Sequence, residues 1–125
     1  MADSATVVLT TVGTEEQANE IASELVARRQ AACVNIVPGV RSVYRWQGNI
    51  CRDTEYLLVI KTLAREYEQV EATIQELHSY DLPEIVAFEV RRGEPGFLQW
   101  ISASLDKEAP FSDVEEGPEI DVADS

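Results

Sequence analysis

The sequence predicts an α+β fold with the element order β-α-β-β-α-β-α. Three observations carry this. Short β-branched runs alternate with stretches of helical period. Pro38-Gly39 and Gln47-Gly48-Asn49 punctuate one long extended region, which reads as a hairpin. A chain of 125 residues fits one domain and can bury roughly two-thirds of the surface its unfolded form exposes.

The elements follow in order. Ala5 to Val12, "ATVVLTTV", is β-branched and stops at Gly13, a strand. Thr14 and Gln17 have capping-box spacing, so Thr14 starts a helix and Gln17 reaches back to it. Ala18, Ile21, Ala22 and Leu25 carry that helix to about Arg28. Glu15 and Glu16 at its start and Arg28 and Arg29 at its end suit the helix dipole.

"CVNIVPGVRSVYRW" from Cys33 is the second strand, with a bulge, bend or edge at Pro38-Gly39. Glu55 to Thr62 is the third. Its apolar run is nearly continuous, which implies cover on both faces. A second helix spans about Ala64 to His78, with Tyr67, Val70, Ile74 and Leu77 as one stripe. Pro83 keeps Leu82 out of the α region, so this helix ends before it. "EIVAFEV" from Glu84 is the fourth strand. A last helix opens at Glu94-Pro95, with Phe97, Leu98, Ile101 and Leu105 as its apolar face. The first six elements are those of a ferredoxin-like split βαβ unit, with two helices on one sheet face. Residues 1–105 form this domain. Residues 106–125 are acidic, lack a period, and read as a flexible tail.

Composition excludes several function classes. The net charge is −13, and residues 106–125 supply −7 of it through eight acids and one lysine. Without a clustered basic surface, nucleic-acid binding is disfavoured. No apolar run is long enough for a membrane helix, and no secretory signal is visible, so a cytoplasmic location is expected. Cys33 and Cys51 match no zinc spacing and are expected as free thiols. Nucleotide-binding glycine loops, zinc-protease helices and serine-nucleophile elbows are absent. A Cys33 or Cys51 pair with His78 is the one nucleophilic arrangement available, and the sequence gives no reason for them to meet.

His78 is the only histidine. One reading makes it a helix-end residue favoured by the dipole. The other makes it a metal ligand, since thiolate and imidazole suit copper or zinc. One protomer offers few ligands, and symmetry could supply more. Tyr44 and Trp46 lie two apart, on one side of a strand, as core or as interface anchors.

"ARRQAACVNIVPGVRSVYRWQG" from Ala27, "EYLLVIKT" from Glu55, "LHSYDLPEIVAFEV" from Leu77 and "GFLQWISASL" from Gly96 resemble the divalent-cation tolerance (CutA) family over residues 5 to 105. The resemblance implies a ferredoxin-like protomer in a PII-like homotrimer, with neighbouring strands paired at their edges. It implies a response to divalent metal ions, with copper or another divalent cation bound, no organic cofactor and no catalytic reaction. By position it implies Cys33 and His78 as metal ligands. Tyr44, Trp46, Glu55, Lys61, Tyr80, Pro83 and Glu84 would stand around clefts between subunits. The alternative is a PII-like signalling module that binds a small anion or a partner protein, with Lys61 as an anion contact.

Overall fold

The structure, a computed structural model, describes residues 4–110. Its elements are β1 (Ala5–Val12), α1 (Glu15–Ala27), β2 (Cys33–Trp46), β3 (Asn49–Leu63), a short 3-10 turn (Ala64–Glu66), α2 (Tyr67–Leu77), β4 (Val86–Glu89) and α3 (Pro95–Ser104). The four strands form one antiparallel sheet in the order β2-β3-β1-β4. β3 lies between β1 and β2, which is the split βαβ arrangement that the element order predicts.

The two-residue strand period sorts the sheet into two faces. Val8, Val12, Leu58 and Ile60 point to one face and are fully buried under Ala18, Ile21 and Leu25 of α1 and Val70 and Ile74 of α2. Each such side chain contributes about 1.5–3 kcal/mol on removal from water. On the opposite face α3 covers only one end, packing Ile101 and Leu105 against Ala5, Ala32 and Leu63. The middle of that face stays open. Phe88 is 56% exposed, and Val37 and Val86 are each 40% exposed. The continuous apolar run of β3 implies cover on both faces, yet Leu57 and Val59 are only half-buried in the single chain.

Several local readings change. β3 begins at Asn49 rather than Glu55, because the outer half of β2 pairs with it from Trp46↔Asn49 to Val40↔Glu55. The turn between them is two residues, Gln47 and Gly48, both at positive φ, as a type I′ hairpin requires. The ladder shifts register between Val37 and Val40, at Pro38-Gly39, where Gly39 takes φ +74. Thr14 caps α1 through Gln17 N–H at 3.1 Å, but the Gln17 side chain does not reach back. It donates instead to Leu77 O at 3.0 Å and accepts from Ser79 N–H at 3.1 Å. Gln17 therefore ties the start of α1 to the end of α2.

The fourth strand is shorter than the sequence predicts, though Val90 N–H still bonds to Ala5 O at 2.9 Å. Residues 106–110 are held to the domain: Arg29 donates to the carbonyls of Asp106 (2.7 Å) and Ala109 (2.9 Å), and Lys107 pairs with Glu66 at 3.2 Å. The rest of the tail, 111–125, lies outside the described residues.

Candidate functional site

An open cleft of about 590 Å³ lies where the β2–β3 arm meets the segment between α2 and β4. The arm supplies one wall. Its register places Ser42 opposite Asp53, and Ser42, Tyr44 and Trp46 fall on one side by the period of two. Tyr80, Asp81 and Glu84 supply the other wall.

Glu55 sits at the base and is only 5% exposed. Ser42 Oγ donates to its Oε1 at 2.6 Å, and Tyr80 Oη donates to its Oε2 at 2.7 Å. Tyr44 Oη donates to Asp53 Oδ2. Both phenols respond to this acidic setting. Burial, and then the bond to Glu55, raise Tyr80 well above its usual 10. The bond to Asp53 pushes Tyr44 up to about 12. Among the described residues no lysine, arginine or histidine lines the cleft. An anion would meet carboxylates there.

His78 does not lie in the last helical turn. Its backbone is extended, and it is the residue at which α2 stops. Nε2 lies 2.7 Å from Thr11 O, and Nδ1 accepts Tyr80 N–H at 3.1 Å. A carbonyl only accepts and a backbone N–H only donates, so these partners assign the ring proton to Nε2. The ring packs against Tyr80, with centroids 4.6 Å apart. Gly13 leaves room for Tyr80, whose hydroxyl would stand 3.1 Å from a Cβ added there. His78 is thus a bracket that aims Tyr80 at Glu55, with both ring nitrogens engaged.

Cys33 stands elsewhere. It pairs across the ladder with Lys61, whose Nζ is 3.9 Å from its Sγ and also donates to Asn35. Lys61 in turn faces Val7 on β1, four residues from Thr11. That is roughly 13 Å along the strand, with two strand spacings across. One chain cannot bring Cys33 and His78 to a shared ion. Among the described residues no three of His, Cys, Asp and Glu gather as a metal site.

Of the residues that the resemblance places around a cleft, Tyr44, Trp46, Glu55, Tyr80 and Glu84 come together here. Pro83 sits between lining residues, and Lys61 lies outside, on the open sheet face with Cys33. Ser42 and Asp53 also line the cleft without any signal of their own in the sequence, and Asp81, which the sequence sets beside His78, joins them. The hairpin turn carries the signal for the first two. Once Gln47-Gly48 fixes Trp46↔Asn49, counting back along the arm puts Ser42 opposite Asp53, on the side of Tyr44 and Trp46.

A family model described as the CutA1 divalent ion tolerance protein matches residues 6–104. The chain belongs to this family. A divalent-cation tolerance protein CutA of Thermus thermophilus is 47% identical over 95 residues, covering 76% of this chain and 92% of that relative. The chloroplastic CutA of Arabidopsis thaliana is 40% identical over 98 residues, covering 78% of this chain and 54% of that longer relative. Among solved structures, CutA of Xylella fastidiosa superposes with a TM-score of 0.81 at 38% identity, over 82% of this chain and 99% of that one. The four-stranded sheet and three helices described above are thus those of a CutA-type domain.

Proposed function

We propose that this CutA1-family chain works as a homotrimeric, non-catalytic binding protein in the tolerance of divalent metal ions, copper among them, in the cytoplasm. The open apolar sheet face carries the assembly part. Val37, Val86 and Phe88 are exposed beside half-buried Leu57 and Val59, on a face that one chain leaves uncovered. A contiguous apolar face of this kind marks an interaction site. Family membership carries the metal part. Cys33 is the soft donor on that same face, half-buried and weakly engaged by Lys61. His78 already uses both nitrogens within the chain, so Cys33 is the stronger candidate ligand, completed by donors from neighbouring copies.

The test combines light scattering with copper titration of the wild type, Val59→Asp and Cys33→Ser. The wild type should scatter as three chains and bind copper. Val59→Asp should scatter as one chain. Cys33→Ser should keep the trimer and lose at least tenfold in copper affinity, about 1.4 kcal/mol. A monomeric wild type removes the assembly reading, and unchanged affinity in Cys33→Ser removes Cys33 from the metal reading.

A further inference from the structure

We infer that residues 106–110 are a strap closed over the end of α1, held shut by the charge of Lys107 and released when that charge is lost. The backbone at Arg29 provides the first reason. Arg29 N–H bonds to Val26 O at 3.0 Å and Gln30 N–H bonds to Leu25 O at 2.9 Å. That pair of bonds closes a helix around one left-handed residue, a place that glycine usually fills. Here Arg29 fills it, with φ +56. A side chain is strained in that conformation, and such strain persists only where the surroundings hold it. The guanidinium supplies the hold. It donates to the carbonyls of Asp106 (2.7 Å), Ala109 (2.9 Å) and Pro110 (3.3 Å). A rigid fork of several N–H donors can grip three carbonyls at once, which glycine cannot do.

The second reason is that the grip is reciprocal. Lys107 Nζ donates to Arg29 O at 2.5 Å and to Glu66 Oε2 at 3.2 Å. The side chain at the end of α1 holds the backbone of the strap, and a side chain of the strap holds the backbone at the end of α1. Each half positions the other, so both release together.

The third reason is Glu66, at the start of α2. It is 6% exposed, and its Oε1 is buried without a hydrogen-bond partner among the described residues. Its Oε2 meets Lys107 and, at 3.9 Å, Arg65 Nε. Taking one partner from a buried charge leaves that charge poorly compensated. Residues 106–125 hold eight acids and one base, and that base is Lys107. No other residue of the segment can take its place. All of these bonds form within one chain, so the strap does not depend on which copies cover the open sheet face. It stands apart from the metal reading as well, because Cys33 takes no part in it.

The test is amide hydrogen exchange of the full-length protein, followed by mass spectrometry of peptides from residues 103–110, β1 and β3. The N–H groups of Asp106, Glu108 and Ala109 bond to Ala103 O, Asp106 Oδ1 and Asp106 O. In the wild type they should exchange at least about tenfold more slowly than in a free peptide. Lys107→Gln removes the charge from a side chain that is half exposed, so the core is left alone. It should speed exchange in the strap by roughly tenfold or more, with β1 and β3 at wild-type rates. Arg29→Gly relieves the backbone and removes the fork, and should speed the strap by a similar factor. The two changes together should speed it little more than either alone, because the halves are coupled. Three results overturn the inference. The strap exchanges at free-peptide rates in the wild type, Lys107→Gln leaves its rate unchanged, or Lys107→Gln speeds β1 and β3 as much as the strap.

Discussion

Replacing Tyr80 by Phe removes one oxygen and leaves the ring. The lost bond is 2.7 Å long and ends on Glu55, which is 5% exposed and keeps only Ser42 as a donor in the variant. A hydrogen bond to a charged group contributes about 1.5–3 kcal/mol, and an abandoned buried acceptor adds its own desolvation cost. Tyr80 is 38% exposed, so water can reach part of the vacated position and the lower end applies. The expected loss is about 1–2 kcal/mol of unfolding free energy near neutral pH. The pH dependence follows from the phenol. Its folded value is raised above 10, by burial first and by Glu55 second, so its contribution is fully present below pH 10. It is lost as pH rises through the raised folded value. The gap between wild type and Tyr80→Phe should therefore stay level from about pH 7 to about pH 9 and narrow above about pH 10. Urea unfolding followed by circular dichroism, at one chain concentration, measures both. A variant as stable as the wild type at neutral pH would refute the account of Glu55, and a gap that widens above pH 10 would refute the linkage.

Two further outcomes test other parts of the structure. Asp53→Asn removes the charge that holds the Tyr44 proton, so the Tyr44 titration should move down from about 12 toward 10, read by ultraviolet absorbance against wild type. A Tyr44 that titrates unchanged would mean the pair does not form. Leu58→Ala empties a fully buried position between the sheet and the two helices and should cost about 2–5 kcal/mol in denaturant unfolding. A loss below about 1 kcal/mol would mean that the core collapses around the gap or is not packed as described.

Much of the fold was legible because it follows from local chemistry. Thr14 as a cap, Gly13 as a stop, the stripe of Val70 and Ile74 and the break at Pro38-Gly39 are each decided by neighbours within a few residues. Two of the misread details involve distant partners. Gln17 fits a capping box by spacing, but Leu77 and Ser79, sixty residues away, offer better use of its amide. The sequence pattern starts β3 at Glu55, because Asn49 to Thr54 is too polar to look like a buried strand. It is a strand because Val40 to Trp46 pairs with it.

The sequence by itself determined the order of the elements, the two faces of each strand and the family to which the chain belongs. Period, turn chemistry and motif are properties of short segments, and short segments carry them whatever the rest of the chain does. Only the tertiary structure decided which polar residues meet. It separated Cys33 from His78 by placing them at different heights on the sheet. It turned His78 into the bracket for Tyr80, and it buried Glu55 beneath an aromatic cleft that no cationic side chain lines among the described residues. Such meetings depend on strand register and on the path of the chain between elements, and neither is written in the spacing of the residues themselves.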